Sequence, residues 1–311
     1  MIKDVLVTSR SFGTVGSEAA NLLKGAGLNV VRIDAGEFED CIEQYDALII
    51  GAHEFRSNTM RRCNKLRIIC KHGAEVNNIP IETARQMGIS VTNVPNINAN
   101  PVADLTFGLL LAISRQIVFT NKAIHEGNWR TAVGTEVCGK TLGLIGYGSI
   151  GKRVAKRAAG FDMNVLAYDP YIASNSDEPG CAKLCSMDEV LQKSDFLSLN
   201  LSLTEETEQL VSRDFLLKMK AGSYLINTAN GKIVDEDALY AALASGHLAG
   251  AAVDVCFPEP MRSSNQLLSL DNFIITSHIG VYTKEAIAAV SLACAKNIVA
   301  KMRGEKIAEP G

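Results

Sequence analysis

Short apolar, β-rich runs alternate with helical patterns along nearly the whole 311-residue chain, and nothing else in the sequence constrains the fold as strongly. "DVLVTS" precedes "SEAANLLKGAG", which leads to "NVVRID", "DALIIG", "LRIIC", a helical "IPIETARQMG" and "ISVTNV". Parallel strands need long crossover connections, so this order predicts a parallel sheet with crossover helices. Gly27 and Gly88 stand where helices should stop. A second series opens at "KTLGLIG" and runs through "NVLAYD", "FLSLNL", "SYLIN", "GAAVDV" and "NFIITSHI". Between the two lies "NPVADLTFGLLLAISRQIVFTNKAIHEGNW", which reads as a long helical stretch that Pro101 can open. The tail, "TKEAIAAVSLACAKNIVAKMRG", predicts one more amphipathic helix. The expectation is an α/β protein of two units with a cleft between them.

A chain of this length can bury two cores. Its 47% hydrophobic and 21% charged residues are an ordinary globular balance. A net charge of −3 without any basic run argues against nucleic acid or an acidic membrane as partner. The apolar "LTFGLLLAISR" is too short to span a bilayer, and "MIKDVLVTSR" enters a strand without the cleavage site of a signal peptide. Eight cysteines lack zinc-ligand spacing, and Cys181 and Cys185 form a lone C-x3-C. Reduced thiols, no metal and a cytoplasmic location are therefore expected.

The second series begins with "LGLIGYGSIGKRVAKRAA", where Gly146, Gly148 and Gly151 follow an apolar strand and precede a helix. The first glycine permits a tight turn, the second lets the backbone approach a pyrophosphate, and the third lets helix and strand pack closely. Backbone N–H groups and the positive end of the helix dipole would hold the phosphates. The next strand ends in Asp169, 18 residues beyond Gly151, where a ribose 2′-hydroxyl would be bound. A carboxylate there repels a 2′-phosphate, and no Arg follows in "DPYIASNSDEPG", so NAD is favoured over NADP.

Two later pieces supply chemistry. "AAVDVCFPEP" places Glu259 in a loop after a buried strand, and "IITSHIGVYTKEA" places His278 at the end of another. A histidine held by a carboxylate can act as general acid or base, because the carboxylate orients the ring and favours its protonated form. Singly, either residue reads as an ordinary solvated loop side chain; as a pair at the ends of parallel strands they read as a site.

The order GYGSIG, YDP, NTANGKIVDE, DVCFPEP and HIG resembles the NAD-dependent D-2-hydroxyacid dehydrogenase family, which includes phosphoglycerate dehydrogenases. The likeness extends to "GISVTNVPNINANPVADLTFGLLL" and "LTEETEQLVSRDFLLKMKAGSYLIN", nearly the full chain. It implies two flavodoxin- or Rossmann-like, doubly wound parallel-sheet domains. Residues 1–98 plus 283–311 would form a discontinuous substrate (lid) domain, and residues 99–282 the NAD-binding domain. Members are typically dimers joined through the cofactor domains, which suits the apolar helix at 101–114. His278 would exchange a proton with the substrate oxygen while hydride passes to or from the nicotinamide, with Glu259 as its partner and Asp254 on the carboxamide. Cofactor positions implied by the likeness are Gly146, Gly148, Ser149, Ile150 and Gly151 in the turn and Asp169 and Pro170 after the next strand. Thr207, Thr228, Ala229 and Gly280 complete them. Ala74, Glu75 and Asn98 fall at substrate positions.

The sequence departs from that family where substrate should be held. The family turn N-x-A-R-G here reads Asn227–Thr228–Ala229–Asn230–Gly231, so Asn230 replaces the arginine that contacts a 2-oxo acid. Asn donates a neutral hydrogen bond but cannot offer a charged, bidentate fork to a carboxylate. Losing such a contact should cost about 1.5–3 kcal/mol. Lys232 is the nearby cation that could substitute. The family's G-V-G-x-D-N stretch reads "GAEVNN", with Glu75 replacing a glycine; facing solvent it is inert, and facing the substrate it disfavours anions. Smaller changes are Ser277 for Pro, Asn200 and Ser202 for His and Pro, Asn96 for Gly, and Asp104 for Glu.

The expected function is therefore NAD-dependent hydride transfer on a small hydroxy or oxo compound, or an imine, with specificity altered by Asn230 and Glu75. Phosphoglycerate dehydrogenase proper is one alternative, for which Lys71, His72 and Arg56 would have to supply anion binding. A non-catalytic NAD-sensing or interaction protein on the same scaffold is another, and an introduced substitution at Asn230 is a third reading of that turn.

Overall fold

The computed structural model describes residues 2–74, 76–95, 97–172 and 182–307. Glu75, Asn96 and Cys181 lie outside the described residues. The chain divides into two compact units, Met1–Asn98 with Val281–Gly311, and Ala99–Gly280.

In the first unit β1 (Asp4–Val7), β2 (Asn29–Arg32), β3 (Ala47–Ile50), β4 (Ile68–Lys71) and β5 (Ser90–Thr92) form one parallel sheet. Its order is β2-β1-β3-β4-β5. Successive side chains on a strand point to opposite faces, so a strand apolar at every position needs cover on both. Val5, Val7, Ile49 and Ile68 pack on one face with Leu23, Cys294 and Ile298 from helices Glu18–Gly25 and Lys284–Met302. Leu6, Leu48, Ile50 and Ile69 pack on the other with Phe38, Phe55, Met60 and Ala84. The last helix is thus part of the first unit's core, and Thr283 caps it by accepting from Ala286 N.

The second unit carries β6 (Thr141–Ile145), β7 (Asn164–Tyr168), β8 (Lys183–Leu184), β9 (Phe196–Leu199), β10 (Ser223–Asn227), β11 (Leu248–Val253) and β12 (Phe273–Ile275). All pair parallel in the order β12-β11-β10-β9-β6-β7-β8. Leu142, Leu144, Tyr224 and Ile226 face helices Ala99–Ser114 and Ser149–Ala159. Ile145, Leu197, Leu199 and Leu225 face Val190, Phe215, Leu239 and Leu243. The strand order reverses between β6 and β9, and the crevice at such a reversal is where doubly wound sheets bind ligands. The expected doubly wound parallel sheets are present in both units.

One sequence expectation needs correction. The stretch after Asn98 is two helices, Ala99–Ser114 and Ile117–His125, bent by 64°. Gln116 takes a left-handed conformation at φ 55° between them, a break that an unbroken apolar periodicity does not show. The first of these helices also spends its apolar side internally: Ala103, Phe107, Leu110 and Ile113 are buried in their own unit. The exposed apolar side chains follow it, at Ile117, Val118, Ile124, Trp129 and Val133, the last two 89% and 99% exposed. Among the described residues no single helix is long and apolar enough to cross a membrane.

His72, directly after β4, ties the first unit together. Its Nδ1 lies 3.3 Å from Ser11 Oγ and its Nε2 3.0 Å from Ser291 Oγ on the last helix. Burial, reinforced by the charges of Lys71 and Arg32, pushes the imidazole down from 6.5 to about 4. Between those values the unfolded chain binds a proton that the folded chain does not, so stability rises with pH across that window and is lost as pH falls through it. Denaturant titrations should show His72→Gln losing less stability than the parent between pH 6.5 and 4, by about 3 kcal/mol. Parallel pH curves for the two proteins would reject the assignment.

Candidate active site

The glycine turn has the shape that its spacing implies. A β-carbon on Gly146, whose φ is 93°, would lie 2.5 Å from Asn200 O, and one on Gly151 would lie 2.4 Å from Gly146 O. Only hydrogen fits at either place. A β-carbon on Gly148 would meet nothing within 4 Å, so this exposed backbone is open to a ligand. Lys152 N makes an early helical bond, to Gly148 O at 3.0 Å. The first-turn N–H groups of Ser149, Ile150 and Gly151 have no acceptor within the helix and can receive an anion. Asp169, just past β7, is fastened to the same turn: Oδ2 accepts from Tyr147 N and Oδ1 from Tyr171 N, both at 2.9 Å. Pro170 beside it is exposed.

At the end of β10 the chain turns sharply under the control of Asn227, whose Oδ1 accepts from Ala229 N and whose Nδ2 donates to Asn230 O, each at 3.0 Å. Thr228 Oγ1 is buried 2.9 Å from Thr106 Oγ1. Asn230 Oδ1 accepts from Lys232 N at 3.0 Å and caps the short turn Gly231–Ile233. Its Nδ2 has no partner among the described residues. Lys232 places its ammonium 4.7 Å from the centre of the Phe257 ring. Gly231 is pressed on the next loop, where a β-carbon would lie 2.2 Å from the Cys256 carbonyl.

Asp254, just past β11 and 2% exposed, organises the segment that carries the histidine. Its Oδ1 accepts from Thr276 Oγ1 and, at 2.8 Å, from Ile279 N; Oδ2 accepts from Gly280 N at 2.8 Å; and its carbonyl accepts from His278 N at 2.9 Å. His278 is held at φ 55°, a left-handed conformation that costs a non-glycine residue about 1–3 kcal/mol. Its Nδ1 faces both oxygens of Glu259, at 3.1 and 3.0 Å. Nearby, burial and then the charges of Glu259 and Glu236 push the Cys256 thiol up to about 11, away from the thiolate form. Thr207 stands in the loop after β9, where Oγ1 accepts from Thr204 N at 2.7 Å and donates to Ser202 O at 2.8 Å.

The model for the D-isomer specific 2-hydroxyacid dehydrogenase, NAD binding domain, matches residues 107–280. The chain belongs to this family. It is 38% identical over 272 residues to a hydroxypyruvate reductase of Thermotoga maritima, covering 86% of this chain and 88% of that one. It is 37% identical over 273 residues to a D-3-phosphoglycerate dehydrogenase of Methanocaldococcus jannaschii, of whose length that match spans about half, 52%. A solved structure of a Thermus thermophilus protein superposes with a TM-score of 0.90 at 34% identity, over 99% of both chains. The chain is thus an NAD-dependent dehydrogenase or reductase of hydroxy and oxo compounds.

In the first unit the three cations that the sequence offered for anion binding, Lys71, His72 and Arg56, all have partners. Lys71 is buried, with Nζ donating to Gly51 O at 2.8 Å and to Asn78 Oδ1 at 2.6 Å. Arg56 pairs with Glu39 at 2.6 Å, and His72 is bonded as described above. Ala74 O accepts from Asn93 Nδ2, and Asn98 is half-buried at the end of the same unit. In the second unit Asp104 pairs with Arg157 at 2.6 Å. Among the described residues no group of three His, Cys, Asp or Glu side chains is placed to hold a metal.

The residues that sequence reading missed are the supports: Asn227, Thr106, Thr276 and Glu236. Thr106, Thr276 and Glu236 are ordinary polar residues whose partners are distant in the chain, so spacing carries no sign of them, and Asn227 bonds only within its own turn, where its side-chain contacts show no periodicity. The glycine contacts make a direct contrast. Gly231→Ala should destabilise the second unit by about 1–3 kcal/mol in denaturant unfolding, since backbone must move. Gly148→Ala should change it by less than about 0.5 kcal/mol. Equal effects would show that the Cys256 contact yields freely.

Proposed function

We propose that this dehydrogenase acts on a small oxo or hydroxy compound, or an imine, whose group beside the reacting carbon is not a plain carboxylate, with His278 as acid or base and Glu259 as its partner. The observation that carries the reading is the His278–Glu259 contact at 3.0 Å. It occupies Nδ1, and Nε2 has no partner among the described residues. In the reducing direction the substrate oxygen takes the Nε2 proton, leaving a neutral imidazole whose Nδ1–H stays on Glu259. NAD, when bound, supplies the hydride in its reduced form and accepts it in its oxidised form. The open backbone at Gly148 and the first-turn N–H groups of residues 149–151 would hold its pyrophosphate, and Asp169 a ribose hydroxyl. Pro170, Thr207, Thr228, Ala229, Asp254 and Gly280 would complete that site. Ala74 and Asn98 would lie toward substrate.

Asn230 supports the specificity. With its oxygen engaged by Lys232 N, it presents an amide N–H in place of a charged fork, and Lys232 is drawn to Phe257. The names of the relatives imply carboxylate substrates, which this chain would bind without that fork. Phosphoglycerate would need strong anion contacts at both ends, and Lys71, His72 and Arg56 are already engaged. An intact acid–base pair favours catalysis over a purely NAD-sensing role.

NADH oxidation against a panel of 2-oxo acids, uncharged ketones and amine-bearing carbonyls tests this reading. Neutral or cationic carbonyls should outrun pyruvate, glyoxylate and hydroxypyruvate. Asn230→Arg should raise kcat/KM on those acids by about ten- to a hundredfold. His278→Gln should lower kcat by about 10²- to 10⁴-fold while NADH binding persists. Efficient turnover of the plain acids with no gain from Asn230→Arg would reject the specificity.

A homodimer joined through the NAD-binding unit belongs to the same proposal, as does a cytoplasmic location, in keeping with the free described cysteines. Ile117, Ile124, Trp129 and Val133 form the exposed apolar set that such a contact would cover. Sedimentation equilibrium should give the mass of two chains, and Trp129→Glu with Val133→Glu the mass of one; an unchanged mass in the variant would place the contact elsewhere.

A further inference from the structure

Glu259 stands on an irregular loop, 42% exposed, yet both of its oxygens meet one imidazole nitrogen. Something must hold that loop, and its own hydrogen bonds do little: Cys256 Sγ reaches Pro258 O at 3.5 Å, and Asn265 N reaches Arg262 O at 3.0 Å. The anchor comes from a different element. Glu236, the first residue of helix Glu236–Ala244, accepts from Phe257 N through Oε1 at 3.0 Å and from Asn265 Nδ2 through Oε2 at 2.6 Å. One carboxylate therefore pins both ends of the 257–265 loop. Its position in a helix's first turn suits a negative charge, and Asp235 caps the helix by accepting from Asp237 N and Ala238 N at 3.1 Å. The Asn265 side chain that Glu236 receives also caps the next short turn through Oδ1 on Leu267 N, at 3.0 Å.

We propose that Glu236 is a positioning residue for the reaction, which it serves by fixing Glu259 against His278 without touching substrate or cofactor. The two members of the acid–base pair are then held by separate acidic anchors: Asp254 fixes the histidine segment and Glu236 fixes the glutamate loop. Freed of Glu236, the loop keeps its chain path but loses the carboxylate–imidazole geometry, and displacement of about 1 Å is enough to slow such a step a hundredfold. The proposal rests on the reading of His278 and Glu259 as the proton-transfer pair.

The test compares Glu236→Ala, Glu236→Gln, Glu259→Gln and the double variant Glu236→Ala/Glu259→Gln, assayed with NADH and the fastest-reduced carbonyl of the panel. NADH binding is followed by fluorescence and folding by circular dichroism. Glu236→Ala should lower kcat about ten- to a hundredfold with NADH affinity and substrate KM unchanged. Glu236→Gln, which can still accept from Phe257 N, should recover part of that loss. The double variant should be no slower than Glu259→Gln alone, because a residue acting only through Glu259 has nothing left to position. Wild-type kcat in Glu236→Ala beside a slow Glu259→Gln would overturn the proposal, and so would losses that multiply in the double variant. An unimpaired Glu259→Gln would instead overturn the reading beneath it. If Glu236→Ala fails to fold, Asn265→Ala removes the Oε2 tether together with the cap on Leu267 N, leaves the Oε1 bond to Phe257 N, and should show the same loss in kcat, to a smaller degree; wild-type kcat there would count against the anchor.

Discussion

Everything at the candidate site hangs on one buried carboxylate. Asp254 is almost wholly removed from water, a condition tolerable for a carboxylate only when donors surround it. Thr276 Oγ1, Ile279 N and Gly280 N provide them. These bonds wrap residues 276–280 around the end of β11, and the wrap forces His278 into a left-handed conformation that it would not choose alone. The direction of the imidazole is therefore set by a charge that is spent on hydrogen bonds, and leaving any of those donors or acceptors unsatisfied would cost about 1–3 kcal/mol.

The nucleotide side of the unit relies on what is absent. At Gly146 and Gly151 the neighbouring backbone occupies the place of a side chain, and at Gly148 that place is empty and exposed. Two glycines thus serve the packing of strand on helix and one leaves room for a ligand, a division of labour within six residues of sequence. Asp169 is bonded to the same turn by Tyr147 N, so the carboxylate proposed for a ribose hydroxyl and the N–H groups proposed for phosphate are tied to one another.

Asn230 commits only one end of its amide. Its oxygen caps the Gly231–Ile233 turn, and its amide nitrogen has no partner among the described residues. The neighbouring cation is removed by a different device, the ring of Phe257. Under the proposed function, an acid–base pair beside a neutral amide, with the nearest cation in sequence drawn to a ring, would select by what it fails to attract.

Much of this was legible in the residues. Short continuous apolar runs alternating with helices are enough to specify parallel sheets, because parallel neighbours need crossovers and a strand apolar at every position needs two covered faces. The glycine spacing and Asp169 were legible for the same reason: their geometry is local, completed within one strand–turn–helix unit. His278 and Glu259 lie on separate segments, so their places at strand ends suggested a pair and the likeness to a family was needed to give it roles. What the sequence could not tell was the break at Gln116, the internal use of the helix before it, and the anchoring roles of Asp254 and Glu236. Each of these depends on a hydrogen bond or packing surface supplied by a segment distant in the chain, and contacts of that kind exist only once the sheet has brought the strand ends together.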